Sequence, residues 1–183
     1  MREGDLAGRR VLDIGCGTGR ALEAMAARGS RVWGVEPEPE MAALARERVS
    51  TVKVAPAERL PFKDGWFERA LMWLVVHLVD RPRAFGEAAR VLRPDGRLAI
   101  GTFHLLHFER YWLKEFFPSL EAIDTARFPS PAELESELEF AVEHDPLGSE
   151  DAPQKVLVPE ESLEAAQHAI EALTEPEEIV DEA

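Results

Sequence analysis

Three glycines follow an acidic residue near the start of the chain, in the stretch VLDIGCGTG at residues 11–19. Apolar residues precede Asp13 and a helical pattern follows Gly19, so the glycines are predicted to form a turn between a strand and a helix. Ligands often bind at such turns, where main-chain amides are accessible. The sequence therefore predicts a ligand site here, and the neighbouring side chains indicate the charge of the ligand.

Two features of this glycine turn argue against a phosphate ligand. The spacing is G-x-G-x-G, whereas the dinucleotide fingerprint G-x-G-x-x-G/A requires a small residue at position 20, and Arg20 stands there. Asp13 places a carboxylate directly before the glycines, which would repel a pyrophosphate but complement an ammonium or sulfonium group. The phosphate-loop pattern G-x-x-x-x-G-K-[ST] is absent from the sequence. The turn therefore predicts a cationic ligand.

Glu36 supplies a second carboxylate, at the end of the second predicted strand. An acid at this position can accept hydrogen bonds from both hydroxyls of a ribose, so we expect an adenosine-type ligand. The same role would serve NAD, and an isolated glutamate at a strand end can also be a solvated loop residue. Together with the glycine turn, the spacing favours the ribose role.

Histidines follow two later strands and are the candidate general bases. His77 comes just after the fourth predicted strand, and His104 and His107 follow the fifth. An unperturbed imidazole titrates near physiological pH, so each could accept a proton from a substrate. A surface or packing role is the alternative interpretation for each. We predict His77 and His104 as catalytic residues, and we predict no metal site.

Short apolar runs alternate with amphipathic segments, which predicts βαβ units and a parallel sheet. Five strands are predicted at residues 10–14, 31–35, 51–55, 69–76 and 97–103, and two further strands at 140–143 and 155–158. Helices are predicted at residues 19–28, 38–49, 82–92, 111–117, 130–139 and 160–173. The second helix is expected to bury Met41, Leu44 and Ala45, and RPDG at 93–96 is expected to be a turn. The pattern favours a single α/β domain over residues 1–183.

The composition is that of an ordinary globular protein, with 45% hydrophobic and 31% charged residues. No apolar run approaches the roughly 20 residues of a membrane span, and the first residues lack the apolar stretch of a secretory signal. Cys16 is the single cysteine, which excludes an intramolecular disulfide framework, so a cytoplasmic location is expected. The lack of Asn, the scarcity of Gln and the excess of Arg over Lys fit a heat-adapted source, and high genomic GC content is an alternative reason for the excess of Arg.

The net charge of −14 is concentrated in the last third of the chain. Residues 128–183 hold 17 acidic residues and one basic residue, Lys155. Because affinity for nucleic acid comes from Lys and Arg on phosphates, such a tail argues against nonspecific nucleic-acid binding. A solvated acidic surface is the simpler interpretation, and a patch that recruits a cationic partner or an amine substrate is the alternative.

Four ordered motifs over about residues 10–103 resemble those of class I S-adenosylmethionine-dependent methyltransferases. They are VLDIGCGTG, VWGVEPEPEM, AERLPFKDGWFERAL and ARVLRPDGRLAIG. The resemblance is greatest to the small-molecule branch that includes the ubiquinone and menaquinone C-methylating enzymes. It implies a three-layer, doubly wound, Rossmann-like sheet of seven mostly parallel strands, with an antiparallel last strand. It also implies S-adenosylmethionine as the cofactor and a small-molecule methyl acceptor.

The resemblance implies cofactor contacts at the carboxyl ends of the parallel strands. The residues expected at the methionine end are Asp13, Gly15, Cys16 and Gly17. Those expected at the ribose and adenine are Glu36, Pro37, Ala57 and Glu58. Those expected near the methionine moiety and its methyl group are Met72, Trp73 and Leu74. The thiol of Cys16 is expected to be a small filler rather than a nucleophile.

The chain also departs from the pattern of this family. Pro56 stands where relatives often carry an Asp that accepts the adenine amino group, and Glu68 and Asp95 replace a common Asp and a common Gly. Relatives usually have a few helices before the first strand that cover the cofactor, and ten residues stand there in this chain. We therefore expect an open site, or cover from another subunit of a homo-oligomer or from the region after Gly101.

The leading hypothesis is an S-adenosylmethionine-dependent methyltransferase that acts on a small molecule. One alternative is a catalytically degenerate member that binds the cofactor or a partner without turnover, which the short N-terminus and Pro56 favour. Another is a nicotinamide-dependent oxidoreductase, which Arg20 and Asp13 disfavour. Nucleic-acid methylation is disfavoured because the sequence has no Asn/Asp-Pro-Pro-aromatic motif and no basic stripe.

Overall fold

The computed structural model describes residues 6–103, 115–117 and 119–143. They form an α/β fold around five parallel strands in the order β3-β2-β1-β4-β5. The strands are β1 (Arg10–Ile14), β2 (Arg31–Glu36), β3 (Val52–Val54), β4 (Phe67–Trp73) and β5 (Leu92–Gly101). The helices are α1 (Arg20–Ala27), α2 (Pro39–Arg48), α3 (Arg81–Val91), α4 (Ser119–Arg127) and α5 (Pro131–Glu143). The predicted parallel sheet is confirmed over these strands.

The order of the strands reverses between β1 and β4. The chain runs outward from β1 to β2 and β3, and then returns to pair β4 with the other edge of β1. Leu12 of β1 consequently lies opposite Trp33 on one side and Ala70 on the other. In open parallel sheets such a reversal leaves a crevice at the carboxyl ends of the strands, where ligands bind. The fold therefore places the glycine turn and the end of β4 at one crevice.

Helices cover both faces of the sheet, because alternate residues of a strand point to opposite sides. Val11 packs in one core with Leu22 of α1 and residues of α2. Leu12 packs in a second core with Phe85 of α3 and Leu134 of α5. Burial of each large apolar side chain contributes about 1.5–3 kcal/mol, so these two cores hold the three layers together and keep the ends of the strands in place.

Helix α2 faces the core with smaller residues than the sequence analysis predicted. Ala42 and Ala45 are fully buried, whereas Met41 and Leu44 are 37% and 47% exposed. The prediction that Met41 and Leu44 face inward is therefore wrong. The physical reason is close approach: a Cβ at Gly19 would lie 3.1 Å from the Cα and Cβ of Ala45. Only small side chains fit where α2 passes the glycine turn.

Strand β5 includes the segment RPDG at residues 93–96, which the sequence analysis predicted as a turn. The register between β4 and β5 shifts there, from Phe67 opposite Leu92 to Arg69 opposite Arg97. The extra residues of β5 form an irregularity inside the strand. The strand thus begins at Leu92 rather than at Arg97, and the turn prediction for RPDG is wrong in this respect.

The region after β5 adds two helices, of which the sequence analysis predicted the second. A capping box starts α5: Ser130 Oγ accepts a hydrogen bond from the Glu133 amide at 3.3 Å, and the Glu133 carboxylate accepts one from the Ser130 amide at 2.7 Å. The helix continues to Glu143, so the strand predicted at residues 140–143 is wrong: the backbone of these residues forms the last turn of α5.

Several predictions for the last third of the chain fall outside the described residues. These are the strand at 155–158, the helix at 160–173 and most of the helix at 111–117. Within the ranges that the structure describes, no helix is long and apolar enough to cross a membrane.

Candidate active site

The glycine turn is fixed by main-chain geometry. Gly15, Gly17 and Gly19 have φ angles of 76°, 55° and 84°, in the left-handed region that residues with side chains rarely adopt. The Gly15 amide donates a hydrogen bond to the Val35 carbonyl at 2.9 Å, which ties the turn to the end of β2. A Cβ on Gly15 would lie 2.6 Å from Val75 Cγ2, so the turn also contacts the segment after β4. The turn therefore joins the ends of three strands at the crevice.

Glu36 ends β2 with its carboxylate held against the glycine turn. Its Oε2 accepts a hydrogen bond from the Gly17 amide at 2.9 Å, and its Oε1 accepts one from the Glu38 amide at 3.1 Å. The residue is 9% exposed. Each carboxylate oxygen has two lone pairs, so both can accept one more donor. Glu36 is thus oriented by the backbone and retains the capacity to bind two ribose hydroxyls.

Asp13 lies on the neighbouring strand and is 1% exposed. Its Oδ1 has no hydrogen-bond partner among the described residues. Burial, followed by the nearby charge of Glu36, raises the pKa of the Asp13 carboxyl to about 7. A cation beside the carboxylate would counter both effects, because opposite charge favours the ionised form. The two buried acids therefore fit an ammonium or sulfonium ligand and not a phosphate.

Cys16 belongs to the turn through its backbone, while its side chain packs in the core between the sheet and helices α1 and α2. A Cβ at Gly34 would lie 2.8 Å from its Sγ. Burial, followed by the charges of Asp13 and Glu36, raises the pKa of the thiol to about 12. The thiol therefore stays protonated and is unsuited to nucleophilic attack.

The loop after β3 brings further predicted residues to the same edge of the sheet. Ala57 is buried in the core beneath α3. Glu58 Oε1 accepts a hydrogen bond from the Asp80 amide at 2.8 Å, so this carboxylate links the loop to the start of α3. Pro37 and Pro56 are exposed. Their rings offer apolar surface beside the end of β2, while Glu58 is already engaged in a structural contact.

Helix α3 anchors the rest of this loop through two charged side chains. The Leu60 amide donates a hydrogen bond to Glu87 at 2.6 Å. Arg90 donates to the carbonyls of Leu60 and Phe62 at 3.0 and 2.9 Å, and it also pairs with Glu87 and Asp64. Its hydrogen bonds hold the pKa of the Glu87 carboxyl below its usual range. The loop that borders the crevice is therefore positioned by α3.

The surroundings differ among three successive residues at the end of β4, which are Met72, Trp73 and Leu74. Met72 is fully buried in the core beneath α3, so its side chain does not line the crevice. The partly exposed Trp73 ring covers Gly101 of β5, where a Cβ would overlap the ring. Leu74 has a φ of 52°, and its amide donates to the Gly101 carbonyl at 2.7 Å. Such backbone conformations concentrate at ligand sites, so Trp73 and Leu74 are the better candidates for shaping the crevice.

His77 follows β4 and packs against the end of α4. Its ring stacks on Phe128, with centroids 4.1 Å apart and planes at 26°. Burial, followed by the charge of Arg127, lowers the pKa of the imidazole, and Asp124 opposes this shift. The ring is therefore neutral at physiological pH and able to accept a proton. His104, the other predicted base, lies outside the described residues.

Phe128 is the residue at this site that the sequence analysis did not identify. It comes directly after α4 and is 8% exposed. The sequence shows an apolar residue two positions before the predicted capping box at Ser130, but it carries no signal that identifies the partner of that residue. Its contact with His77 packs the end of α4 against the residues that follow β4.

Known proteins are similar to this chain in sequence. Residues 12–100 match the family model described as a methyltransferase domain. An uncharacterized methyltransferase of Mycobacterium bovis is 41% identical over 96 residues, which cover 51% of this chain and 40% of that protein. The demethylmenaquinone methyltransferase of Tropheryma whipplei is 34% identical over 128 residues, which cover 64% of this chain and 53% of that protein. The chain thus spans between 40% and 53% of the length of these two relatives.

A solved structure shares the fold as well. The S-adenosylmethionine-dependent methyltransferase of Thermotoga maritima, described as a possible histamine N-methyltransferase, is similar with a TM-score of 0.61 and 34% identity. The similarity covers 75% of this chain and 65% of that one. Residues 12–100 therefore match the methyltransferase domain family, and the similar solved structure is that of an S-adenosylmethionine-dependent enzyme.

Proposed function

We propose that this chain is an S-adenosylmethionine-dependent methyltransferase that acts on a small-molecule acceptor. The observation that carries the proposal is the pair of buried acids at the glycine turn, Asp13 with an unpartnered oxygen and Glu36 with both oxygens held by backbone amides. A buried carboxylate without a cation is unfavourable, and a ligand that brings both a positive charge and a ribose would satisfy both residues. The match to the domain family supports the same cofactor.

Each of the cofactor-facing residues has a separate task in this proposal. Glu36 would accept hydrogen bonds from the ribose, and Pro37 would pack on the adenine, with Ala57 and Glu58 at its edge. Asp13 would balance the charge at the methionine end. The backbone from Gly15 through Cys16 to Gly17, and that from Met72 through Trp73 to Leu74, would border the methionine moiety. When bound, the cofactor supplies an electrophilic methyl group.

His77 would serve the acceptor. Methyl transfer is an in-line displacement, and holding two reactants in line can supply on the order of 7–11 kcal/mol of the barrier reduction at best. A nucleophile that arrives protonated also needs a base, and the neutral imidazole of His77 can take that proton. His104 is the second candidate for this role.

The acceptor, the assembly and the location are proposed in coarser terms. The relatives' names refer to a demethylmenaquinone and to histamine, which supports a small molecule as the acceptor and no nucleic acid. We take residues 1–183 as one domain of the doubly wound, Rossmann-like type, with seven mostly parallel strands and an antiparallel last strand. A cytoplasmic location, a homo-oligomer and a heat-adapted source belong to the same proposal.

Calorimetric titration with S-adenosylhomocysteine tests the cofactor assignment. We expect saturable binding by the wild-type chain and a Kd increased about 10- to 100-fold by Glu36→Gln. The Gly17 and Glu38 amides and the ribose hydroxyls need two acceptor oxygens, and glutamine offers only one. The lost hydrogen bond costs about 1.5–3 kcal/mol of binding free energy. Glu38→Gln is the matched control, because the Glu38 side chain is exposed and only its amide contacts Glu36.

Three outcomes would contradict parts of the proposal. No binding at high micromolar ligand by the wild-type chain would overturn the cofactor assignment. Binding of NADH in its place would favour the oxidoreductase alternative. Binding of S-adenosylhomocysteine without methyl transfer from S-adenosylmethionine to a broad panel of quinols, phenols and amines would favour the noncatalytic alternative.

A further inference from the structure

Three aromatic rings from separate segments meet beside the crevice. His77 follows β4, Phe103 follows β5 and Phe128 follows α4. Phe128 stacks on His77 with centroids 4.1 Å apart and contacts Phe103 edge-on with centroids 5.8 Å apart. Phe128 therefore lies between the residues that follow two neighbouring strands and holds one face of the imidazole.

Two buried polar atoms in the segments that carry these rings lack hydrogen-bond partners among the described residues. His77 Nδ1 and Thr102 Oγ1 are buried and have no hydrogen-bond partner within the described part of the chain. Thr102 directly precedes Phe103 at the end of β5. Buried polar atoms are usually paired, so these two are candidates to be satisfied by a bound molecule or a water.

Phe128 is itself held in place by the surrounding structure. Its amide donates to the Asp124 carbonyl at 2.9 Å, as a continuation of α4. On its other side, the capping box at Ser130 starts α5. Glu137 of α5 accepts two hydrogen bonds from Arg81 of α3, at 2.6 and 2.8 Å. A ring fixed in this way can restrict the orientation of the imidazole on which it stacks.

We propose that Phe128 is a positioning residue for methyl transfer: its ring stacks on His77 and holds the imidazole at the crevice with a nitrogen directed to the acceptor. The proposal rests on the proposed function, in which His77 takes the proton of the acceptor. Phe128 does not touch the reacting atoms and acts only through His77.

The charged groups packed around His77 set its protonation together with Phe128. Burial of the imidazole and the cation of Arg127 lower the pKa of His77, and the carboxylate of Asp124 raises it. Both charges come from α4, whose end packs against the residues after β4. Removing the Phe128 ring would expose the imidazole of His77 to solvent. Removing the charge of Arg127 would end its repulsion of the protonated His77 imidazole. Each change is expected to raise the pKa of His77.

The test combines a histidine titration with a rate measurement. The pKa of His77 is measured by NMR on the ¹⁵N-labelled chain without ligand, with its signal assigned by loss in His77→Gln. The variants are Phe128→Leu, Phe128→Tyr, which keeps the ring, and Arg127→Gln, which changes an exposed side chain. Phe117→Leu is the matched control, because Phe117 is 57% exposed. The pH dependence of methyl transfer is measured with the same variants.

We expect the pKa of His77 to rise in Phe128→Leu and Arg127→Gln, and to stay at its wild-type value in Phe128→Tyr and Phe117→Leu. A histidine with its usual pKa of about 6.5 is roughly one quarter neutral at pH 6. The rate at pH 6, relative to pH 8, is therefore expected to fall by up to about fourfold in the first two variants.

An unchanged His77 pKa in Phe128→Leu and Arg127→Gln would overturn the proposal, as would a raised pKa that leaves the pH profile of transfer unmoved. If Phe128→Leu does not fold, Phe128→Met takes its place, because methionine keeps apolar volume but has no flat ring to stack on the imidazole. Failure of the proposed function is distinguished by calorimetry: a wild-type chain that does not bind S-adenosylhomocysteine contradicts the cofactor assignment, whatever the His77 titration shows.

Discussion

The crevice has two sides that are built by different means. On the side of β1 and β2, the main chain sets the geometry: Gly15 has a φ of 76°, and Glu36 is held by the amides of Gly17 and Glu38. On the side of β4 and β5, side chains set it: Trp73 covers Gly101, and His77 stacks on Phe128. We refer to these as the turn side and the acceptor side.

The two sides also differ in how far apart their contacts lie along the chain. The hydrogen bonds of the turn side join residues 15–38 and are local, although Gly15 also packs against Val75 after β4. The acceptor side joins His77 to Phe128 through a region beyond β5. The main-chain conformation of the turn requires glycine at particular positions, where no other residue fits. A side-chain contact, in contrast, can be removed by a single substitution that leaves the backbone unchanged. We therefore expect substitutions on the turn side to affect cofactor affinity, and substitutions on the acceptor side to affect transfer.

The largest effect is expected from Gly15→Ala on the turn side. The new Cβ would require a left-handed alanine and would lie 2.6 Å from Val75 Cγ2. We expect loss of S-adenosylhomocysteine binding by more than about 100-fold and a decrease of about 2–4 kcal/mol in the free energy of unfolding. Calorimetry measures the first quantity and urea denaturation the second.

Gly65→Ala is the matched control for this substitution. Gly65 also has a positive φ, of 60°, but a Cβ there would meet nothing within 4 Å. We expect a decrease of about 1 kcal/mol in the free energy of unfolding, with an unchanged Kd. Equal effects of Gly15→Ala and Gly65→Ala on binding would contradict the view that the turn side is specified by its main chain.

A smaller effect is expected from the titration of Asp13, also on the turn side. In the free protein its pKa is raised to about 7, chiefly by burial. A bound cation favours the ionised form, so binding of S-adenosylmethionine at pH 6 should release about one proton. Its affinity should fall by up to about tenfold per pH unit below 7. Calorimetry in two buffers of different ionisation enthalpy measures the released proton.

Asp13→Asn supplies the control and fixes the sign of the effect on stability. Because the pKa of Asp13 is raised in the folded state from 3.8 to about 7, its stabilising contribution is complete below pH 4 and is lost as pH rises through 7. The neutral asparagine should therefore raise the free energy of unfolding at pH 8, by about 1–3 kcal/mol, while weakening cofactor binding and abolishing proton release. A wild-type chain that binds without releasing a proton would show that Asp13 does not face the cation.

The turn side was predictable from the sequence because its determinants are local. The bounds of β1, Arg10–Ile14, are confirmed, and the three predicted turn glycines have positive φ angles. Asp80 caps α3 by accepting a hydrogen bond from the Arg83 amide. In each case the backbone needs a conformation or a capping group that few other residue types can provide. Such requirements can be recognised without knowing which distant segment packs nearby.

The acceptor side was less predictable because its contacts join distant segments. Helix α4 has many exposed residues, including Ile123 at 53%, so its apolar pattern is weak. Residues 140–143 were predicted as a strand because a short apolar run does not distinguish a strand from the end of a helix. The stacking of Phe128 on His77 follows from packing alone. Apolar periodicity indicates that a residue is buried, but it does not name the partner.

The smallest effect is expected from Arg81→Gln, which tests whether the two sides are independent. Arg81 donates two hydrogen bonds to Glu137 and so links α3 to α5; both side chains are 25% exposed. We expect a decrease of about 1 kcal/mol in the free energy of unfolding.

Arg83→Gln on the same helix is the control, because Arg83 is 77% exposed and its Nε lies 3.7 Å from the Asp80 carboxylate. Its effect on the free energy of unfolding should stay within about 0.5 kcal/mol. Since neither arginine contacts the turn side, the Kd for S-adenosylhomocysteine should remain within about twofold of wild type, while the His77 resonance moves in Arg81→Gln. A loss of cofactor affinity as large as the loss of stability would mean that the acceptor side also holds the glycine turn in place.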